Sequence, residues 1–303
     1  MTDNLIKTKV SQTASYTCFC RACAEAERDE RFRGPDSIAR EFVPLLPTVL
    51  FLKCRPARNL VMKRIAPRGI YEYVCARTKL FDEVFGNAID TAVPQVVIFG
   101  AGFDTRAWRF AARNRGTRIF ELDAPVTQQM KQKLLAERGI SAPRDLVYVP
   151  ADFELDDIGT LLDRAGFRKD RKTLFLLEGV TMYLGWRSVE ETLAVIRENA
   201  AHGSRVIFDY VLASVLRHER TLYGETAIKR MTSRSGEKWR FGIEKGMVES
   251  YLSDRGFKLI EHYTPARLQR RYLTAADGTL FGRINETHCI AVTGVSDKQA
   301  KEN

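Results

Sequence analysis

After Pro94 the chain settles into short apolar runs separated by amphipathic stretches. Five runs read as strands of a parallel sheet: residues 95–99, 118–122, 146–149, 173–177 and 205–210. They are mostly β-branched or aromatic and bounded by turn formers, the signature of strands buried on both faces. Between them, residues 106–113, 126–138, 158–165 and 189–200 carry helical periodicity, and such alternation implies βαβ units. Residues 212–242 break the rhythm with mixed charge and scattered apolar positions, and an excursion that long in a compact domain is expected to be a lid or substrate loop. A helix at 245–254 and two last strands, 257–263 and 286–293, complete a seven-stranded sheet. The long connection between those strands suits a final strand inserted antiparallel beside its predecessor.

Ahead of this core, residues 11–85 are helical and basic, interrupted by Gly34-Pro35-Asp36, Pro44, Pro47, Pro56 and Pro67-Arg68-Gly69. Each interruption ends or kinks a helix, so several short helices are expected. With no repeat, linker or low-complexity tract, the chain reads as one domain over 1–303. It divides into a helical N-terminal cap (1–90), a core (91–211 and 244–303) and a lid (212–243).

Composition narrows the class. The 303 residues are 45% hydrophobic and 28% charged, enough to bury a core without disulfides and unlike collagenous, disordered or coiled-coil chains. No run approaches the roughly 18 apolar residues of a spanning helix. The opening Met1-Thr2-Asp3-Asn4-Leu5-Ile6-Lys7 lacks the apolar segment of a secretory signal, so a cytoplasmic protein with its six cysteines as thiols is expected. The net charge of +10 admits nucleic acid, an anionic membrane surface or an acidic substrate without choosing among them. Residues 53–79 concentrate it in Lys53, Arg55, Arg58, Lys63, Arg64, Arg68, Arg77 and Lys79 against Glu72; apart from Arg77, these read as a solvated helix face.

The chemistry centres on Val96-Val97-Ile98-Phe99-Gly100-Ala101-Gly102-Phe103-Asp104-Thr105-Arg106, a strand running through a Gly-X-Gly turn into a helix. Glycines there allow a tight turn and close approach of a ligand, or serve the turn alone. Asp123 ends the second strand, where a carboxylate can accept from both hydroxyls of an adenosine ribose or cap the next helix. Thr105 stands where the third glycine of a dinucleotide fingerprint belongs, which argues against a pyrophosphate ligand.

Together with Asp104-Thr105-Arg106, Glu121-Leu122-Asp123-Ala124-Pro125, Leu177-Glu178-Gly179-Val180-Thr181-Met182-Tyr183-Leu184 and Gly203-Ser204-Arg205-Val206-Ile207-Phe208-Asp209-Tyr210, this turn resembles the leucine carboxyl methyltransferase-like family of class I S-adenosylmethionine-dependent O-methyltransferases, over essentially the whole chain. The resemblance implies a Rossmann-like α/β sandwich, a seven-stranded mixed sheet with helices on both faces, and S-adenosyl-L-methionine as cofactor, leaving S-adenosylhomocysteine. It implies that Gly100, Ala101 and Gly102 approach the methionine moiety, that Asp123 holds the ribose, and that Asp152 and Phe153 meet the adenine. Arg77 would grip the cofactor carboxylate with its planar fork, and Arg21 lies in a region where the family also places a basic cofactor contact, or else serves on the surface. Glu178 would sit near the methionine amino group or sulfonium, or else pair with an arginine in the core; Arg106 reads as a structural partner of Asp104 or Glu178.

Methyl transfer is an in-line displacement governed by positioning. A carboxylate acceptor needs no base, whereas a hydroxyl benefits from one. Of the four histidines, His202 reads as a helix cap and His262 and His288 as sheet surface; His218, in the irregular segment, and Tyr183 are the catalytic candidates. Cys18, Cys20 and Cys23 lack a second pair at zinc spacing, and no Asp/Asn cluster suggests magnesium, so no metal is expected. Tyr210, Tyr223, Trp239, Phe241 and residues 267–273 are candidates for a substrate pocket or for the core. The expected acceptor is a small natural-product-type molecule, with neither membrane nor nucleic acid as partner. The alternatives are a protein C-terminal carboxylate, an RNA-binding or RNA-modifying role, and a non-catalytic cofactor-binding relative.

Overall fold

The protein is described by a computed structural model covering residues 10–44, 52–60, 62, 67–228 and 237–296. The Met1–Lys7 segment, Pro47, Lys63, Arg64 and part of the expected lid lie outside the described residues. Seven strands form one sheet: β1 (Gln95–Phe99), β2 (Arg118–Asp123), β3 (Leu146–Pro150), β4 (Thr173–Leu177), β5 (Arg205–Val211), β6 (Phe257–Tyr263) and β7 (His288–Val295). Their order is β3-β2-β1-β4-β5-β7-β6. β1 to β5 run parallel, and β7 is inserted antiparallel between β5 and β6. The sheet is thus mixed and Rossmann-like, and its order reverses at β1, opening a cleft at the carboxyl ends of β1 and β4.

Alternation along each strand builds both halves of the core. Val96 and Ile98 face one layer with Tyr73, Phe81 and Phe85 of the helix Ile70–Asp90. Val97 and Phe99 face the other, with Ile158, Leu162, Leu193 and Ile196 of the helices Ile158–Arg164 and Trp186–Asn199. The helices Gln12–Glu25 and Ile70–Asp90 lie on the first side, so the N-terminal segment joins the core layer.

Several boundaries differ from the sequence reading. β7 starts at His288 rather than Glu286, because the preceding backbone is used elsewhere: Asn285 N donates to Gly69 O (2.9 Å) and Glu286 N to Tyr223 O (3.1 Å). The helix after the glycine turn spans only Arg106–Arg109; beyond it Ala111 and Arg113 make tighter bonds to the carbonyls three residues back. The segment between β6 and β7 contains the helix Pro265–Tyr272, opened by Thr264, whose side chain accepts from Arg267 N. It docks on Ile70–Asp90 through Arg271 and Tyr272, which both donate to Glu83 at 2.8 Å. The N-terminal segment is broken into separate helices as expected, at Gln12–Glu25, Ala39–Phe42, Arg55–Leu60 and Ile70–Asp90, and the last of these, starting directly after Pro67-Arg68-Gly69, runs for 21 residues and past Phe85. Among the described residues, no helix is long and apolar enough to cross a membrane.

Candidate functional site

A cavity of about 400 Å³ opens at the carboxyl ends of β1, β2 and β4, a size ordinary for a small-molecule or cofactor site. Its floor is the turn Gly100–Phe103, its far wall Asp123 and Asp152–Phe153, and its near wall Arg77 and Glu178. The helix Gln12–Glu25 covers it with Thr13, Ala14, Thr17 and Arg21, while Tyr183, Leu184, Glu237 and Arg240 close the remaining end. The expected cofactor residues, namely Arg21, Arg77, Gly100, Ala101, Gly102, Asp123, Asp152, Phe153 and Glu178, all line this one cavity, as does Tyr183.

The turn exists because Gly100 adopts φ +58°. A Cβ there would meet Val180 Cγ2 at 2.5 Å. Asp123 is held at the tip of β2 by the turn itself: Gly102 N donates to its Oδ2, and Ala124 N to its Oδ1 at 2.7 Å. Burial pushes its carboxyl up to about 6 against those two amides. Each oxygen keeps a lone pair for a further donor. Asp152 caps its own loop, accepting from Glu154 N at 3.0 Å, and the Phe153 ring lies 6.0 Å from that of Phe99. A half-buried carboxylate with spare acceptor capacity, a nearby aromatic face and a floor kept low by Gly100 and Gly102 fit an adenosyl ligand.

Beneath the near wall runs a chain of alternating charge. Arg21 pairs with Asp36 (2.8 Å), Asp36 with Arg109 (3.4 Å), Arg109 with Asp82, and Asp82 with Arg106 (2.8 Å). Arg106 then meets Glu178 (2.8 Å), Glu178 meets Arg77 (2.9 Å), and Arg77 meets Asp209 (2.8 Å). Burial alone would raise Glu178, but Arg106 and Arg77 hold its carboxyl below the usual range; Asp104 is likewise drawn down to about 2 by Arg106 against its burial. Arginine forks suit this arrangement because one guanidinium serves two carboxylates at once. Glu178 therefore both pairs with arginines and faces the cavity, and Arg106 pairs with Asp104 as well as Glu178. Arg21 is tied down by Asp36 and by Phe103 O (2.6 Å), rather than lying on the surface.

Other expected residues fall elsewhere. His218 sits on an exposed turn with φ +62°, outside the cavity lining. His288 is buried rather than on the sheet surface, because β7 is an interior strand; its ring stacks on Tyr73 at 4.3 Å and lies edge-on to Trp239 at 5.0 Å. His262 is half-buried, its Nε2 2.9 Å from the Tyr210 hydroxyl. Arg58 is buried against Glu27 (3.1 Å) instead of solvated. Tyr210, Tyr223, Trp239 and Phe241 are absent from the described lining, and residues 267–273 belong mostly to the helix packed on Ile70–Asp90. Cys18, Cys20 and Cys23 are buried thiols.

Asp36, Asp82, Asp209, Glu237 and Arg240 were not singled out from the sequence. Asp209 had a usable signal, an ionisable residue inside the apolar strand Arg205–Val211, since a buried charge requires a partner. Glu237 had none, because its partners Gln12 and Thr13 lie more than two hundred positions away.

The family profile described as Leucine carboxyl methyltransferase matches residues 14–197, which contain the turn, Arg77, Asp123, Asp152 and Glu178. YktD of Bacillus subtilis (strain 168), which carries an S-adenosyl-L-methionine-dependent methyltransferase name, is 30% identical over 209 residues, 68% of this chain and 67% of its own. A similarly named protein of Parafrankia sp. (strain EAN1pec) is 32% identical over 257 residues, 82% of this chain and 77% of its own. Among solved structures, a Thermobifida fusca YX protein titled as a methyltransferase superposes with a TM-score of 0.61 at 17% identity, covering 97% of this chain and 98% of its own. A DUF574 family protein of Streptomyces avermitilis superposes at 0.59 and 15%, covering 96% and 99%. The structural likeness speaks for the fold and the profile for the lineage, and by both the chain belongs to the leucine carboxyl methyltransferase family of S-adenosyl-L-methionine-dependent methyltransferases.

Proposed function

We propose that this protein is an O-methyltransferase that moves the methyl group of S-adenosyl-L-methionine to a hydroxyl or carboxylate of a small molecule. The observation that carries the reading is the convergence on one cavity of the glycine turn, Asp123, Asp152–Phe153, and the Arg77–Glu178 pair. Asp123 accepts the ribose hydroxyls with the lone pairs left by Gly102 and Ala124. Phe153 packs against the adenine, and Asp152 accepts from its amino group. Arg77 and Arg21 take the carboxylate end, and Glu178 the amino group, a division set by charge. When bound, the cofactor supplies a methyl group on a positive sulfonium, so the protein's part is alignment and exclusion of water.

A small acceptor is supported by the size of the cavity, about 400 Å³, and by its lining, to which the helix Gln12–Glu25 contributes Thr13, Ala14, Thr17 and Arg21 beside Glu237 and Arg240. A nucleic-acid role loses support because Arg58 and Arg77 of the basic stretch are buried in ion pairs. A cytoplasmic location is supported by the six cysteines being free thiols, as a reducing compartment keeps them.

Calorimetric titration with S-adenosylmethionine, S-adenosylhomocysteine and NAD tests the reading, with Asp123→Ala as control. The two methionine-derived ligands are expected to bind the native protein and not the variant; binding of NAD alone, or of none, would overturn it.

A further inference from the structure

We infer that Lys131 is a positioning residue of the cofactor site, its buried ammonium keeping Asp123 in the ionised form that accepts both ribose hydroxyls; the inference rests on the role given to Asp123 above. Glu121 and Asp123 are two apart on β2, and so lie on the same face of the sheet. The helix Pro125–Glu137 starts directly after them and returns along that face. Gln128 Nε2 donates to Glu121 O at 3.0 Å, and three residues on Lys131 Nζ reaches Glu121 Oε2 at 2.7 Å. Both members of this pair are only 1% exposed. The Trp108 ring lies over the ammonium, its centroid 5.0 Å away, and its Nε1 is fixed on Ser141 O at 2.9 Å. Packing therefore decides where the Lys131 charge sits.

The pair is lopsided. Glu121 Oε2 has the ammonium, but its buried Oε1 has no hydrogen-bond partner among the described residues. A buried carboxylate short of donors favours its protonated form, and burial pushes this one up to about 7 against the pull of Lys131. Where Asp123 titrates, at about 6, Glu121 still holds its proton, and the Lys131 charge is left to act on other anions. Asp104, in the glycine turn, is one of them, its burial overcome by Arg106 and then by Lys131. Asp123 is the other. Against its burial stand the Gly102 and Ala124 amides, and Lys131 is the one cation among the described residues that supports them. The remaining titratable groups facing this spot are the Tyr148 hydroxyl, opposite Glu121 on β3, and the Cys18 thiol of the helix Gln12–Glu25. Burial holds both above their ordinary values, so neither competes for the charge.

Bracing the helix on the strand does not by itself call for charge, since replacing a buried ion pair by apolar groups of similar size is often neutral or stabilising. What the ammonium adds is its field at Asp123. Two ribose hydroxyls that both donate need an acceptor-only partner, and a protonated carboxyl turns one of its oxygens into a donor. Lys131 thus acts on the ligand only through Asp123, by setting the pH range over which that carboxylate can hold it.

The test is calorimetric titration of the full chain with S-adenosylhomocysteine between pH 5 and 9, on the native protein, Lys131→Met, Glu121→Gln and the double variant Glu121→Gln/Lys131→Met. In Lys131→Met the midpoint of the pH-dependent affinity is expected to move up by about one pH unit or more, with native affinity regained at pH 9, where Asp123 is ionised without help. The double variant leaves no unpaired acid in the core, and the same upward move is expected there should the single variant fold poorly. Glu121→Gln keeps the ammonium and is expected to keep the native midpoint. A native midpoint in a folded Lys131 variant, or an affinity lowered equally at every pH, makes the pair a brace alone and overturns the inference, leaving the cofactor site standing. An upward move in Glu121→Gln as well assigns the effect to lost packing and overturns it too. Native protein that binds no S-adenosylhomocysteine at any pH, or an Asp123→Asn variant with the native affinity and pH profile, overturns the role of Asp123 itself.

Discussion

Asp209 Oδ2 accepts from Arg77 Nη1 at 2.8 Å, joining the middle of β5 to the helix that forms the near wall of the cavity. The same oxygen accepts from the Tyr73 hydroxyl (2.8 Å), and Oδ1 from Gly179 N (2.6 Å). One fully buried carboxylate thus orients the arginine and pins the turn that carries Glu178. Asp209→Ala leaves a buried guanidinium with half its partners, and removing one member of such a pair costs about 3–5 kcal/mol. Chemical denaturation is expected to show that loss. Asp209→Asn keeps an acceptor for Tyr73, so it is expected to lose less stability, while calorimetry reads weakened cofactor binding from the misplaced Arg77.

Asp123 gives the site a pH dependence of definite sign. Its pKa is pushed up to about 6 by burial, partly opposed by the Gly102 and Ala124 amides. Only the ionised form can accept from both ribose hydroxyls. Affinity for S-adenosylhomocysteine is therefore expected to be level above pH 7 and to fall as pH drops through 6, by up to about tenfold per unit below it. Calorimetry between pH 5 and 8 reads this directly. Asp123→Asn is expected to bind weakly and without that dependence; an unchanged slope in the variant would assign the effect to another group.

The parallel core was legible because its strands are dense apolar runs, and a strand–turn–helix unit limits where the chain can go next: Gly100, Gly102 and Asp123 fall where it must reverse. The charged network beneath was legible only in part. Arg77, Arg106 and Glu178 stand in recognisable motifs, but Asp36, Asp82 and Asp209 lie in three distant segments, joined only by tertiary packing. The helix Pro265–Tyr272 was hidden by its charge, with three arginines in eight residues, although Thr264-Pro265 marks its start. His288 was misplaced because strand order, rather than strand pattern, decides which strand is interior.

Two buried groups should make stability respond to pH in opposite directions. His288 is lowered to about 3 by burial and by Arg77, from 6.5 when exposed. The fold favours its neutral form, so its contribution is complete above pH 6.5 and is lost as pH falls toward 3, at up to about 1.4 kcal/mol per unit. Glu121 is raised to about 7 by burial, against Lys131; the fold favours its protonated form, and its effect lessens stability as pH rises from 4.5 through 7. Comparing native protein with His288→Gln isolates the first. The variant is expected to be less stable at pH 7 but to lose stability less steeply between pH 6 and 4, as followed by urea unfolding.

Two glycines separate backbone strain from damage to the site. Gly100 has φ +58° and Gly139 φ +70°. An L residue in this region costs roughly 1–2 kcal/mol at either position. At Gly139 nothing lies within 4 Å of an added Cβ, whereas at Gly100 that carbon would stand 2.5 Å from Val180 Cγ2. Val180 comes directly after Glu178 and Gly179 at the cavity edge, so relieving the clash must move the turn that carries Glu178. Gly139→Ala is expected to lower the unfolding free energy by about the strain alone with cofactor affinity unchanged. Gly100→Ala is expected to lose more stability and to weaken cofactor binding by about tenfold or more, since about 1.4 kcal/mol of misplaced contacts suffices for that. Equal affinities in the two variants would mean that the turn at Gly100 is shaped for folding and does not hold the ligand.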